Sequence, residues 1–136
     1  MRFSRPLLCL FAILCAARVT LAQSTNPFFQ PGKIRALIFS GHNNHDWRAS
    51  TPFLKDLLTR TGHFDVRVEE EPTGTTAATL AAYDVLVLDY MGPRWGDATE
   101  KAVSDFVKSG KGLVVVHGAS YAFTGLEILG DGHKPT

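Results

Sequence analysis

The sequence IRALIFS at residues 34–40 is nearly all apolar and rich in β-branched side chains. A strand covered by helices on both faces has this composition, whereas a strand with one face in water alternates apolar and polar residues. The same composition recurs in DVLVLD at residues 84–89 and in GLVVVH at residues 112–117. The stretches at residues 34–40 and 84–89 predict strands buried on both faces, and the stretch at residues 112–117 predicts a fourth strand. The alternating sequence FDVRVE at residues 64–69 predicts a strand at the edge of the sheet.

Amphipathic stretches lie between the predicted strands. Ser50 or Thr51 is expected to cap a first helix that has Pro52 in its first turn. Its inner face is predicted from apolar residues at helical spacing, namely Phe53, Leu54, Leu57 and Leu58. The sequence DATE at residues 97–100 matches a capping box, which predicts a second helix with Asp97 as its cap. The inner face of that helix is predicted to hold Ala98, Ala102, Val103, Phe106 and Val107. A short helical turn is expected at residues 79–83, and a weak helical signal covers residues 121–129.

Apolar strands that alternate with amphipathic helices predict an α/β protein whose parallel sheet has helices on both faces. Right-handed crossovers then give a flavodoxin-like, doubly wound parallel sheet with strand order 2-1-3-4, incomplete at the C-terminus. Ligands in such sheets bind beyond the carboxyl ends of the strands. The loops at residues 41–47, 90–96 and 118–123 are therefore the ones expected to form a site.

Length and composition limit the possible classes of protein. The chain has 136 residues, of which 45% are hydrophobic and 20% charged, as is typical of one compact soluble domain and not of a disordered chain or a coiled coil. A net charge of +1 provides no large basic field, so no nucleic-acid partner is expected.

The first 22 residues have the features of a secretory signal peptide. They begin with a basic segment, continue with an apolar run at residues 7–17 and end in TLA, which places small residues before a cleavage site after Ala22. The run is too short to span a bilayer comfortably, since that takes ~20 residues, although an uncleaved anchor is the alternative. We therefore expect a signal peptide at 1–22, a linker at 23–32, a domain at 33–136, a secreted or periplasmic location and no stable membrane insertion. Both cysteines, Cys9 and Cys15, lie in the signal, so the exported chain must rely on histidines, carboxylates, hydroxyls or the backbone.

The loop GHNNHDW at residues 41–47 carries the densest group of polar side chains. Its two imidazoles, His42 and His45, could bind a divalent metal together with a carboxylate, or act as acid and base. The spacing His-x-x-His-Asp matches no closed metal site, so a hydrogen-bonding polar pocket is favoured and no metal site is assigned. A loop ordered by its own side chains is the remaining alternative. His117 ends the fourth strand at the same edge, about 9–10 Å from the first strand at ~4.8 Å per strand, a distance that loop side chains can bridge.

Two further features lie at this edge. The sequence HGAS at residues 117–120 follows a strand, where a nucleophile elbow would lie, but the G-x-S-x-G spacing is absent and tight packing of small residues is the favoured interpretation. Asp89 and Tyr90 end the third strand, so Asp89 is expected either to contact a ligand or to cap the following turn.

Three segments resemble the ThuA-like family, which is named for trehalose utilisation. IRALIFSGHNNH at residues 34–45 resembles its opening strand and histidine-containing loop, and YDVLVLDYMG at residues 83–92 resembles its third strand. The most specific segment is FVKSGKGLVVVHGA at residues 106–119. The resemblance implies a fold similar to class I glutamine amidotransferases, in which a nucleophilic cysteine follows this last strand. Here that turn is Val116-His117-Gly118, so amidotransferase chemistry is not carried over.

The resemblance also implies a class of substrate. Members of the family are linked to carbohydrate metabolism, often of disaccharides or keto-sugars, and many are exported. By matching, His42, His45, Asp89 and His117 become the candidate pocket residues. His117 or His45 would act as general base or acid, and Asp89 would orient sugar hydroxyls. Trp47, Tyr90 and Trp95 would suit stacking against a sugar.

The alternatives are a non-catalytic sugar-binding or interaction module and a non-functional fragment of a longer enzyme. Family domains continue past four strands, so a truncated product with strand 4 as an unprotected edge is expected. The expected partner is a small-molecule carbohydrate. The cofactor and the oligomeric state are left open by the sequence.

Overall fold

The computed structural model describes residues 28–121, 126–129 and 132–135. Four parallel strands form one sheet in the order β2-β1-β3-β4, which confirms the predicted doubly wound topology. The strands are β1 (Ile34–Phe39), β2 (Phe64–Glu69), β3 (Val85–Leu88) and β4 (Gly112–Val115). The predicted signal peptide and the linker residues 23–27 lie outside the described residues, so they remain predictions.

Three α-helices connect these strands: α1 (Trp47–Arg60), α2 (Ala77–Leu80) and α3 (Asp97–Lys108). A short 3-10 helix at His117–Tyr121 follows β4. Strands β5 (Leu126–Leu129) and β6 (Gly132–Pro135) then form a separate antiparallel pair, so the helix predicted over residues 121–129 is wrong at 126–129. Among the residues that the structure describes, no helix is both long and apolar enough to cross a bilayer.

The two faces of the sheet pack against different helices. Leu54 and Leu58 of α1 cover one face, where the buried residues are Ala36, Ile38, Val66 and Val87. Helices α2 and α3 cover the other face through Leu80, Ala102, Val103 and Phe106, which pack against Leu37, Phe39, Leu86 and Leu88. Both faces of β1 and β3 are thus covered, as their apolar sequences predicted.

Helix α1 differs from its predicted form in two ways. It begins at Trp47, because the backbone carbonyl of Asp46 accepts hydrogen bonds from Ala49 and Ser50, so Pro52 lies inside the helix. Its inner face is narrower than predicted, since Phe53 is 59% and Leu57 is 47% exposed. Leu54 and Leu58 are partly buried against the core, whereas Phe53 and Leu57 are exposed.

Helix α3 also differs from the predicted capping box. Asp97 is its first helical residue, so the N-cap is Gly96, which has no side chain to form a cap bond. The carboxylate of Glu100 instead accepts a hydrogen bond from Nε of Arg94 at 3.0 Å, which lowers the pKa of Glu100. Thr99 is buried, whereas Ala98, which was predicted to lie on the inner face, is exposed. The helix itself lies where the sequence predicted it.

An ion cluster joins three strands at the amino edge of the sheet. The carboxylate of Asp84, just before β3, accepts hydrogen bonds from Nε of Arg35 at 2.9 Å and from Nζ of Lys111 at 3.1 Å. These bonds, chiefly those from Arg35, hold the pKa of Asp84 well below its usual range. The opposite, carboxyl edge is the one at which the predicted site residues lie.

Candidate functional site

Backbone hydrogen bonds hold the loops at the carboxyl edge together. The amide of Asp89 donates to the carbonyl of Phe39, and the amide of Val116 donates to that of Leu88. Beyond the strands, the amide of Met91 donates to the carbonyl of His42 at 2.8 Å. Backbone hydrogen bonds alone therefore connect the loops that follow β1 and β3.

His45 and His117 meet above this edge. Their ring centroids lie 4.8 Å apart with the ring planes tilted by 37°, and both residues are exposed. His45 comes from the loop after β1 and His117 from the end of β4, so their side chains bridge over the intervening β3. The structure thus brings together the two residues predicted to act as acid and base.

The backbone of His117 is in the left-handed region. Its φ is +44°, the one positive φ of a non-glycine residue among the residues that the structure describes. This conformation costs roughly 1–2 kcal/mol for a residue with a β-carbon. It turns the chain sharply from β4 into the 3-10 helix and presents the imidazole at the rim.

Gly118 and Ala119 follow in a tightly packed turn. A β-carbon on Gly118 would lie 3.3 Å from both Oδ1 of Asn44 and Sδ of Met91, and Ala119 is fully buried. Ser120 is exposed. This arrangement agrees with the predicted packing role of the small residues.

Asp89 is buried and surrounded by donors. The residue is 2% exposed. Its Oδ2 accepts hydrogen bonds of 2.7 Å from the hydroxyls of both Ser50 and Thr51. Oδ1 accepts a 3.3 Å bond from Nδ2 of Asn43. The carboxylate therefore joins the first turns of α1 to the end of β3, and it caps no turn of its own loop.

Asn43 extends this network to one of the histidines. While its Nδ2 donates to Asp89, its Oδ1 accepts a 3.1 Å hydrogen bond from the backbone amide of His45. A buried charge thus fixes the loop that carries His45. Neither Asn43 nor the hydroxyls of Ser50 and Thr51 were predicted to have this role, because their partner Asp89 is about 40 residues away in the sequence.

The structure places Tyr90 in the core. Its hydroxyl donates to the carbonyl of Pro93 at 2.7 Å, and burial raises its pKa. Its ring contacts His42 at 5.9 Å between centroids, in an edge-on arrangement. Tyr90 therefore supports His42 from below, and His42 is itself exposed.

The two tryptophans of the predicted pocket have different surroundings. Trp95 is buried edge-on against Phe39, with 5.0 Å between the ring centroids, so the prediction that it offers a stacking face is wrong. Trp47 lines an open groove of about 440 Å³ beside α1 and the end of β2. Arg48 stacks on its ring at 4.2 Å. Among the described side chains, no histidine lines this groove, so Trp47 and the histidine pair do not share one cavity.

The chemistry available at the rim is that of imidazoles. Within the described residues, no three side chains from histidine, cysteine, aspartate and glutamate cluster closely enough to hold a metal ion. Imidazole is the side chain that most often serves as a general acid or base in enzymes. The arrangement is therefore suited to acid–base chemistry on a ligand that lies over the carboxyl edge.

The sheet order and the location of the site define a flavodoxin-like, doubly wound α/β protein. Within that class, the family model described as ThuA, trehalose utilisation, matches residues 35–128. The chain belongs to this family.

Two solved structures are similar to the chain. One is a ThuA-like protein from Parabacteroides merdae, with 34% identity and a TM-score of 0.61, and the match covers 68% of this chain and 35% of that one. The other is a ThuA-like protein from Bacteroides uniformis, with 19% identity and a TM-score of 0.55. The match covers 68% of the present chain and 39% of the Bacteroides uniformis chain. The present chain thus spans less than two fifths of the length of either structure. None of the curated proteins matches it.

Proposed function

We propose that this protein is an exported domain that acts on a carbohydrate of the disaccharide or keto-sugar class. The proposal depends chiefly on one observation, the contact between the exposed rings of His45 and His117 at the carboxyl edge. The family, which is described by trehalose utilisation, supports the class of substrate. The basic start, apolar run and small residues of positions 1–22 support export.

The histidine pair supplies the acid–base chemistry in this proposal. One imidazole removes a proton from a sugar hydroxyl or from a carbon beside a ketone, and the other protonates the oxygen on which negative charge develops. A positioned acid or base contributes typically 10²–10⁴-fold to a rate. His42, exposed and backed by Tyr90, would donate to or accept from sugar hydroxyls. Asp89 holds the loop in place and does not itself contact the sugar, because its oxygens already accept three hydrogen bonds.

Matched variants test the catalytic roles. The chain is incubated with trehalose and with its keto derivatives, and products are separated by chromatography. We expect His45→Gln and His117→Asn each to lower kcat/KM at least about 100-fold. Asparagine tolerates the left-handed backbone at position 117, so this variant should keep the turn.

The control is His63→Ala, which removes an exposed imidazole just before β2, at the amino edge of the sheet. It should leave turnover unchanged. Turnover that persists in both His45→Gln and His117→Asn would contradict the assigned roles.

A sugar-binding module without catalysis is the second candidate. It is favoured by Trp47, an aromatic side chain that lines an open groove of about 440 Å³ beside α1. Titration of the same sugars, followed by calorimetry, distinguishes the two. Binding that His45→Gln weakens, without product from the unmodified chain, would support the module and exclude the enzyme.

A further inference from the structure

We propose that His45 and His117 together form a binding site for a late first-row transition-metal ion, such as Cu²⁺, Ni²⁺ or Zn²⁺. The proposal does not depend on a sugar substrate. An ion bound by both imidazoles would occupy nitrogen atoms that the acid–base role needs, so metal binding and acid–base catalysis are alternative uses of the pair. It rests on the spacing of the two rings, on the way the backbone holds them, and on the donor atoms around them.

The ring spacing fits one shared ion. A metal lies ~2.0–2.1 Å from an imidazole nitrogen, so two imidazoles on one tetrahedral ion have centroids about 5 Å apart. The centroids of His45 and His117 are 4.8 Å apart. The centroid spacing is therefore compatible with one shared ion, provided that a nitrogen of each ring turns toward a common point.

Both imidazoles are held by fixed backbone. The amide of His45 donates to Oδ1 of Asn43, which is anchored by Asp89, and the carbonyl of His45 accepts from the amide of Trp47 at 2.8 Å. His117 follows β4 directly and has the strained left-handed φ of +44°. Strain of this kind persists where the surrounding structure enforces it, and it concentrates at functional sites. A pair held in this way loses little conformational entropy when it binds an ion.

Two further donors lie beside the pair. Oδ1 of Asn44 and Sδ of Met91 both approach the position that a β-carbon of Gly118 would occupy, at 3.3 Å each, and Cδ2 of His45 lies 3.9 Å from it. Imidazole and thioether ligands favour copper, nickel and zinc over magnesium or calcium. The nearest buried carboxylate, Asp89, already accepts three hydrogen bonds. The donors named here, two imidazoles, an amide oxygen and a thioether, are uncharged, and coordination positions would be left for water or a ligand.

Calorimetric titration of the metal-free chain with Cu²⁺, Ni²⁺ and Zn²⁺ separately tests the proposal. We expect one high-affinity ion per chain, with Cu²⁺ bound most tightly because affinity rises to copper along the series. His45→Gln and His117→Asn should each weaken binding at least tenfold. The control His63→Ala should leave the affinity unchanged, since that residue lies at the opposite edge of the sheet.

Electron paramagnetic resonance of the Cu²⁺ complex provides a test on the unmodified chain, in case a variant does not fold. We expect hyperfine splitting from two imidazole nitrogens in the unmodified chain. In either folded variant we expect splitting from one imidazole nitrogen. Absence of binding at millimolar metal, or variants of His45 and His117 that bind as tightly as the unmodified chain, would overturn the proposal. Because the ions are added without sugar, this result is independent of whether the chain turns over a carbohydrate.

Discussion

For Asp89, the sequence predicts the position in the sheet correctly but misses the hydrogen-bond partners of the carboxylate. Its position after an apolar strand predicts that it lies at the carboxyl edge of the sheet, and it does. A ligand contact or a local cap was expected from that position. The structure instead shows the carboxylate accepting hydrogen bonds from Asn43, Ser50 and Thr51, on elements that are distant in sequence. Those partners become neighbours only after β1 and β3 pair, so no local pattern records them.

We expect Asp89→Ala to lower the free energy of unfolding by about 3 kcal/mol, because it leaves buried donors without an acceptor. Asp56→Ala is the matched control. Asp56 forms an exposed ion pair with Arg60 one turn along α1, and pairs of this kind contribute ~0.2–1 kcal/mol. Urea unfolding followed by circular dichroism measures both changes. An Asp89→Ala protein as stable as the unmodified chain would mean that this carboxylate does not anchor α1.

At the scale of elements, the sequence predicts the strands better than the helix ends. The strand FDVRVE has the predicted bounds, and the three apolar strands are one to two residues shorter than predicted. Helix α1 begins four to five residues early, and the hydroxyls of Ser50 and Thr51 donate to Asp89 and do not cap the helix. A side chain that can cap a helix can also satisfy a distant partner, and only the tertiary structure decides between the two.

The turn after β1 depends on a glycine for the same tertiary reason. Gly41 has a φ of +97°, and a β-carbon there would lie 1.8 Å from the carbonyl oxygen of Glu70. Backbone of the loop after β2 therefore occupies the space that any side chain would need. We expect Gly41→Ala to destabilise the protein by more than about 3 kcal/mol, since a left-handed backbone alone costs ~1–2 kcal/mol and the clash adds to it.

Gly62→Ala separates the two contributions. Gly62 has a similar φ of +73° but nothing within 4 Å of its β-carbon position, so only the backbone cost of about 1–2 kcal/mol should be measured. Thermal unfolding of the two variants gives the comparison. Equal losses of stability would show that the contact with Glu70 has no part in the turn.

At the scale of the whole molecule, parallel topology is what makes the candidate site predictable. Once strand order 2-1-3-4 is inferred, the ends of β1 and β4 must lie two strand spacings apart at one edge, within reach of His45 and His117. The burial of Tyr90 and Trp95 could not be predicted in this way, because it depends on how the loop after β3 folds back onto the core. Topology thus predicts which residues share an edge, and packing decides which of them remain exposed.

One side of the molecule is less covered than the rest. Among the residues that the structure describes, β4 pairs with β3 alone, and its apolar side chains Leu113, Val114 and Val115 are exposed. On α1, Phe53 and Leu57 are also exposed.

Val87 and Val114 test whether this side is exposed in solution. They are paired in register on β3 and β4, yet Val87 is 5% exposed and Val114 is 49% exposed. Removing two methyl groups from a buried valine costs about 2 kcal/mol through lost transfer energy and an unfilled cavity, whereas half-exposed methyl groups lose at most about half of that. We therefore expect Val87→Ala to lower the free energy of unfolding by about 2 kcal/mol and Val114→Ala by less than about 1 kcal/mol. Urea unfolding at several protein concentrations measures both. Equal losses would mean that β4 is covered in solution, and a loss at Val114 that grows with protein concentration would identify the cover as a second copy of the chain.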